Sequence, residues 1–203
     1  MKKIRLIALA ATVVMCFSFV FVSCDKSKNA EPKKVSMQGS WTYSYADVAE
    51  LTKSSDIVAE ITVVDSTVTD EDGFVQTVYR ASVDNIIKGN QEKEINLVMT
   101  GGVVDDAIYE VDDDPPMNKS DKFLVFAREN DDGSYTILGG PQGRFINSNG
   151  MIYSINTEIK EKSNRNTVDT SDLNGELKLP IRGISFDRFV DEVKGVTGKE
   201  AKQ

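Results

Sequence analysis

The feature that most constrains the fold is a change from helical to strand hydrophobic periodicity near residue 56. Over residues 56–68 apolar side chains occupy alternate positions, as in a half-buried β-strand. These side chains are Ile57, Ala59, Ile61 and Val63. Residues 70–73 (Asp-Glu-Asp-Gly) predict a hairpin turn, and residues 74–87 alternate again. Both predicted strands run to about 12 residues, well beyond the usual five or six, which favours a coiled sheet that bends into a barrel.

Shorter segments extend this mainly β prediction. We expect strands at 94–99, 135–138 and 150–155, with inward-facing Ile95, Leu97 and Met99 in the first of them. Residues 122–128 (Lys-Phe-Leu-Val-Phe-Ala-Arg) are apolar on both faces, which is typical of a central strand that is covered on both sides.

Two helices complete the α+β pattern. Ser44, followed by Asp47 three residues later, resembles a capping box and predicts a short helix over 45–53. Ser185 is a plausible N-cap for a C-terminal helix that carries an apolar stripe at Phe186, Phe189, Val190 and Val193. We expect this stripe to pack on the barrel.

The first 23 residues resemble a targeting segment. A basic start, Met1–Arg5, precedes an uncharged run from Leu6 to Val22. A plain secretory signal fits this pattern, and so does an uncleaved anchor, since about 17 apolar residues lie at the short limit for a membrane span.

A third interpretation depends on Phe21-Val22-Ser23-Cys24. This tetrad resembles the lipobox of bacterial lipoproteins, although Phe21 stands where that family usually has Leu. The resemblance implies a signal peptide over 1–23, diacylglyceryl transfer to the Cys24 sulfur, cleavage before Cys24 and acylation of the new amine, for example by palmitate. The predicted location is therefore the extracytoplasmic face of a cell membrane, held by lipid. Which membrane of the cell envelope is involved stays open.

Cleavage before Cys24 would also change the charge balance. It would remove three of the 24 Lys and Arg residues and leave 21 against 32 Asp and Glu, a net charge of about −11. Such an acidic chain lacks the basic footprint that nucleic acids need, so we predict no nucleic-acid partner. With Cys24 acylated, no cysteine remains for a disulfide.

The predicted organisation follows from these segments. It comprises a signal peptide (1–23), lipidated Cys24 with a flexible linker (24–42), a β-barrel domain (43–155), an irregular polar segment (156–183) and the C-terminal helix (184–197).

An acidic stretch is the strongest candidate for binding chemistry. Residues 103–118 predict a loop that carries six carboxylates within ten residues: Asp105, Asp106, Glu110, Asp112, Asp113 and Asp114. Clustered carboxylates are the ligands that Ca²⁺ prefers, although the spacing does not fit an EF-hand loop. The alternative is a solvated, self-repelling loop. No cofactor other than this possible Ca²⁺ is predicted.

A second candidate surface is a possible ligand face formed by Trp41, Tyr109, Gln142 and Arg144. Residues 139–144 (Gly-Gly-Pro-Gln-Gly-Arg) lack the following helix of a phosphate-binding loop and predict a turn at the rim of the barrel. Trp41, the only tryptophan, suits either a ligand platform or a plug on a small core.

Four segments in this order resemble a group of bacterial exported proteins and lipoproteins of uncharacterised function: Ser55–Ile61, Tyr79–Gly89, Asp121–Phe126 and Gly139–Gly143. The resemblance implies an OB-like barrel of five or six antiparallel strands, similar in plan to netrin and tissue-inhibitor-of-metalloprotease modules. In those inhibitors a free amino-terminal cysteine binds the protease metal. That mechanism does not carry over, because the lipobox resemblance implies that Cys24 is acylated here.

The functional expectation is a lipid-anchored extracytoplasmic binding or interaction module, with a protein or a small ligand of the cell envelope as its partner. We predict no enzyme, because the chain has no histidine, no free cysteine after lipidation and no catalytic motif. Two alternatives stay open: a metal-dependent envelope hydrolase that uses residues 103–118, and an accessory lipoprotein subunit of an envelope complex.

Overall fold

The structure is a computed structural model that describes residues 33–39, 41–157 and 176–200. These residues belong to one compact unit, Pro32–Gln203. The predicted signal peptide (1–23), the lipidation site Cys24, and residues 158–175 of the predicted polar segment lie outside the described residues.

The described chain is mainly β. Its strands are β1 (Lys33–Met37), β2 (Ile57–Glu71), β3 (Phe74–Lys88), β4 (Glu94–Thr100), β5 (Gly102–Val104), β6 (Ala107–Val111), β7 (Lys122–Glu129), β8 (Tyr135–Ile137), β9 (Arg144–Ser148), β10 (Met151–Ser154) and β11 (Arg182–Ser185). The helices are α1 (Val48–Ser54) and α2 (Phe186–Glu200), and a 3₁₀ turn spans Gly140–Gly143.

Five strands close into a barrel, which confirms the β-barrel prediction. The ring runs β7–β2–β3–β4–β8 and returns to β7. The strands β2, β3 and β4 are consecutive neighbours, and β7 returns to lie beside β2, which is a Greek key. The closing pair, β4 with β8, is parallel, whereas the sequence predicted antiparallel strands throughout. The reason is geometric: an odd number of strands cannot alternate in direction around a closed ring.

The barrel interior is filled by the predicted alternating side chains. Its core contains Ile57, Ala59, Ile61, Val63, Tyr79, Ala81, Ile95, Leu97, Met99, Val125, Ala127 and Ile137. The inward positions predicted for residues 56–63 and 94–99 are thus confirmed. Full burial of each large aliphatic side chain contributes about 1.5–3 kcal/mol.

A second core covers the outside of the barrel, where α1 and α2 pack. The strand β7 belongs to both cores, because Leu124 and Phe126 face the helices while Val125 and Ala127 face the interior. This confirms the prediction of a doubly covered strand. The rings of Phe126, Phe145 and Phe189 meet edge to face, with centroids 5.2–5.9 Å apart.

The first helix begins three residues later than predicted. Asp47, not Ser44, is the N-cap, and its Oδ1 accepts a hydrogen bond from the Glu50 amide at 2.8 Å. Glu50 in turn accepts from the Ala46 amide at 2.9 Å. Asp47 and Glu50 thus form a variant of the capping box, in which Glu50 bonds to the amide one residue before the N-cap. At α2, the Ser185 hydroxyl accepts from the Arg188 amide at 3.4 Å, which agrees with its predicted role.

A separate three-stranded sheet differs from two predictions. Its order is β1–β6–β5, with β1 parallel to β6 and β5 antiparallel to β6. Residues 33–37, predicted as part of a flexible linker, are thus a strand, and much of the predicted loop 103–118 is a hairpin. Asp105, with φ of 51°, lies in the hairpin turn. Aspartate tolerates this left-handed conformation, so an acidic residue can occupy a tight hairpin turn. The cluster of charges therefore did not require a long loop.

Candidate functional site

The structure distributes the six predicted acidic residues over different environments. Asp105 and Asp106 lie exposed in the β5–β6 turn. Glu110 forms an ion pair with Lys34 at 2.6 Å, and Asp112 accepts a hydrogen bond from the Ser36 hydroxyl. Asp113 is exposed, with φ of 65°, and Asp114 is buried.

The acidic residues therefore do not form an evident ligand shell. Among residues 33–39, 41–157 and 176–200, no three His, Cys, Asp or Glu side chains are placed to hold one metal ion. The calcium hypothesis stays a prediction, and the geometry around Asp114 points to a different role for that carboxylate.

Asp114 forms a buried ion pair with Arg144. The Nη2 atom of Arg144 donates to Asp114 Oδ1 at 2.6 Å and to the Pro115 carbonyl at 2.7 Å. The guanidinium also lies 5.1 Å from the Phe123 ring centroid. Only 1% of the Arg144 side chain is exposed. Arg144 is thus no part of an exposed ligand face, because Asp114, Pro115 and Phe123 cover it.

Burial shapes the ionisation of this pair. It raises the pKa of Asp114, although the positive charge of Arg144 opposes the shift. It also lowers the pKa of Arg144, opposed chiefly by Asp114. Nearby, the Tyr79 hydroxyl accepts a hydrogen bond from the Met117 amide at 3.2 Å, and burial raises the pKa of Tyr79. The pair and Tyr79 together fasten residues 114–117 to the barrel.

A second group of residues forms what we call the aromatic corner: Trp41, Tyr43, Gly140, Pro141 and Gln142. Trp41 is 42% exposed and Tyr43 is 62% exposed. The Trp41 ring lies directly against Gly140, so closely that a β-carbon at position 140 would overlap it. Gly140 has φ of 53°, a conformation that suits glycine. The indole is therefore both held in place and open to solvent, which combines the two predicted roles of Trp41.

Gln142 fixes the chain next to these aromatic residues. Its Oε1 accepts from the Tyr45 amide at 3.0 Å, and its Nε2 donates to the Tyr45 carbonyl at 2.9 Å. The side chain thus pairs with the backbone as a neighbouring strand would. Gln142 was predicted as a ligand residue, and the structure gives its amide a positioning role.

A cleft of about 210 Å³ adjoins the aromatic corner. Its lining residues are Pro141, Gln142, Ser154, Asn156, Leu179 and Pro180. None of these side chains is charged, although the whole chain is acidic. The cleft forms because residues 177–181 lie against both the Ala46–Val48 backbone and β10. The Leu179 amide donates to the Ala46 carbonyl, and the Val48 amide donates to the Leu177 carbonyl. On the other side, the Ile181 amide donates to the Ser154 hydroxyl of β10.

The four residues of the predicted ligand face do not meet at one site. Trp41 and Gln142 belong to the aromatic corner, Arg144 is buried, and Tyr109 is half-buried in β6 opposite Val35. Sequence reasoning missed Tyr43, Leu179 and Pro180. The sequence offered only the closeness of Trp41, Tyr43 and Tyr45 as a signal, and it did not show that Tyr45 is buried while Trp41 and Tyr43 are exposed.

Comparison with known proteins adds no assignment. No protein-family model matches the chain, and no curated protein matches it. Within the part of the chain that the structure describes, no helix has both the length and the apolar character needed to cross a membrane.

Proposed function

We propose that the protein is a binding or interaction module, anchored by lipid on Cys24 at the extracytoplasmic face of a cell membrane. The observation that carries the binding role is the aromatic corner, where Trp41 and Tyr43 are exposed, Trp41 packs on Gly140, and the adjacent Pro141 and Gln142 line an uncharged cleft. The lipobox supports the anchor and the location.

An OB-like barrel is the framework of this proposal. OB-like proteins are five-stranded, partly open Greek-key barrels that bind ligands with one face and its adjoining loops. The five-strand ring and the return of β7 to the side of β2 support this assignment. The ring's interior is filled with side chains, so a ligand would bind outside it, at loops and strand ends.

The aromatic corner suits binding for a physical reason. Trp and Tyr are enriched among residues that dominate binding energy, because each offers a large, rigid apolar face and a polar atom. Tyr43 is mostly exposed and Trp41 is 42% exposed, while Gly140 and the backbone pairing by Gln142 hold the neighbouring chain in place. A pre-ordered surface loses less conformational entropy on association.

Catalysis has less support. The sequence contains no histidine, so no imidazole base or ligand is present anywhere in the chain. The hydrolase alternative needs the carboxylates of residues 103–118 to converge, and the described geometry separates them. The accessory-subunit alternative is a special case of the interaction module and shares its test.

The anchor is tested by metabolic labelling of the full chain with a palmitate analogue. We expect label in the wild type and none in Cys24→Ser, which should also leave the membrane fraction. Equal labelling of the two chains would refute the lipid anchor.

The binding role is tested by chemical cross-linking of the full chain in membranes of its own host. We expect Trp41→Ala and Tyr43→Ala to remove a cross-linked product that the wild type forms. Phe74→Ala is the matched control, because Phe74 is 55% exposed at the β2–β3 turn, which contributes no residue to the aromatic corner. A product that survives both corner variants, or that Phe74→Ala also removes, would place binding elsewhere.

A further inference from the structure

The strand β1 is attached to the rest of the domain by few interactions. It pairs with β6 alone, in parallel, and its other edge has no partner strand among the described residues. Lys33, Lys34 and Ser36 are exposed, while Val35 and Met37 are only half-buried. The polar side-chain contacts of β1 among the described residues, Lys34 with Glu110 and Ser36 with Asp112, lie at or near the surface.

The small sheet has little core of its own, since Val111 is the one buried apolar side chain among the described residues of its strands. Of the described residues, none in β1, β5 or β6 belongs to either hydrophobic cluster. The sheet joins the barrel through β5 and its neighbours: the Gly101 amide bonds to the Val75 carbonyl at 2.8 Å, and the Thr77 hydroxyl bonds to the Gly101 carbonyl at 2.6 Å. These contacts hold β5 and β6 but not β1. Segments with few buried contacts open at low free energy.

A fixed point follows β1 closely. Trp41 lies against Gly140, and Val111 fills the space where a β-carbon of Gly39 would be. Detachment of β1 would therefore stop near residue 41. Cys24 precedes Lys33 by nine residues and Trp41 by seventeen. At roughly 3.4 Å per extended residue, these spans reach about 30 Å and about 60 Å.

From these contacts we infer that β1 is a part of the membrane tether that detaches reversibly from β6. We call this strand the clasp. With β1 paired, the chain between anchor and domain is short; with β1 detached, it is nearly twice as long. The maximum distance between the membrane and the domain therefore takes two values, a shorter one with β1 paired and a longer one with β1 detached. Detachment also exposes the backbone edge of β6. The change in reach rests on the proposed lipid anchor, whereas detachment itself does not.

The pairing register supplies a matched test. The Lys33 amide bonds to the Asp106 carbonyl at 2.8 Å, and the Asp112 amide bonds to the Met37 carbonyl at 2.9 Å. In a parallel ladder with this register, Lys33, Val35 and Met37 bond to β6, while the Lys34 amide faces away. Val35→Pro therefore removes a ladder bond, and Lys34→Pro removes none. The two variants introduce the same proline ring at adjacent positions of β1, so they differ in whether a ladder hydrogen bond is lost.

Hydrogen exchange of the full chain in detergent measures detachment of β1 through the protection of the β6 amides that bond to it. In the wild type we expect the amides of Ile108, Glu110 and Asp112 to exchange at least about 100-fold faster than the ladder amides of β3. Val35→Pro should abolish their protection, Lys34→Pro should retain most of it, and neither should change β3. Exchange of β6 and β3 at one common rate would overturn the clasp, as would loss of β3 protection in Val35→Pro.

Neutron reflectometry on supported bilayers measures the distance between the domain and the bilayer. We expect the Val35→Pro domain to lie farther from the bilayer than the Lys34→Pro domain, by up to roughly 25 Å. Equal heights in two anchored variants would overturn the change in reach. Absence of both variants from the bilayer would instead refute the lipid anchor, and the exchange data would still decide whether β1 detaches.

Discussion

The buried ion pair between Arg144 and Asp114 is where a single substitution should most affect stability. Arg144→Ala removes the partner of a carboxylate whose side chain is 7% exposed, and it also removes the donor to the Pro115 carbonyl. Breaking a buried pair on one side typically costs about 3–5 kcal/mol, because the remaining charge stays desolvated. For a domain of this size, that corresponds to a fall in melting temperature of roughly 6–20 °C.

Urea unfolding of the full chain, followed by circular dichroism, measures this cost. Arg80→Ala is the control, because Arg80 pairs with Glu94 at 3.1 Å at the surface, where both side chains are about half exposed. Exposed pairs contribute about 1 kcal/mol or less. We therefore expect Arg144→Ala to destabilise the fold by several times as much as Arg80→Ala.

A double variant separates the charge from the packing. In Arg144→Met with Asp114→Leu, no charge is left unpaired and most of the apolar volume is kept, so the stability should return to within about 2 kcal/mol of the wild type. If Arg144→Ala costs no more than Arg80→Ala, the interpretation of Arg144 as a buried fastening is wrong. A double variant as unstable as Arg144→Ala would show that the unpaired charge does not dominate the cost, and would shift it to groups that both variants lose, such as the hydrogen bond to the Pro115 carbonyl.

Three further outcomes are expected. Burial alone would raise the pKa of Asp47, but hydrogen bonds from the Glu50 amide and Lys178 outweigh it and lower the pKa, so the charge stabilises the fold above the ordinary Asp pKa near 4. Asp47→Asn, which still caps the helix, should cost up to about 1 kcal/mol at pH 7, and this cost should shrink as the pH falls below about 4. A cost that stays the same down to the lowest pH at which the wild type is folded would contradict this. Gly140→Ala should displace the Trp41 ring and shift its fluorescence, while Gly133→Ala, which has a similar positive φ but open space, should leave the fluorescence unchanged. Millimolar Ca²⁺ should leave the melting temperature unchanged relative to Mg²⁺, since residues 103–118 spread their carboxylates; a selective rise would revive the calcium hypothesis.

The barrel strands were predictable because one face of each is buried. Alternation from Ile57 to Val63, and from Ile95 to Met99, marks that face directly. The doubly apolar run in β7 likewise marked a strand between two cores. Local patterns do not state which strand closes the ring, however. The parallel contact of β8 with β4 joins residues nearly forty positions apart and leaves no signature in either segment.

The candidate sites were less predictable, for a related reason. Asp114 is one of six carboxylates that look alike in sequence, and only its contact with Arg144, thirty residues later, sets it apart. The same contact turns Arg144 from an expected surface ligand into a buried group. Trp41 shows the converse case: its exposure depends on Gly140, a residue of a distant turn that leaves room for the indole.

The buried pair also explains how a sheet with little core of its own keeps its place on the barrel. Asp114 lies three residues after the end of β6 and forms an isolated β-bridge with Val111, whereas Arg144 is the first residue of β9, which pairs with β7. The pair therefore fastens the end of β6 to the barrel wall, and the Gly101 contacts fasten the start of β5. The strand β1 lies outside both fastenings. It can detach without disturbing either one, whereas loss of Arg144 should loosen β6 and β1 together.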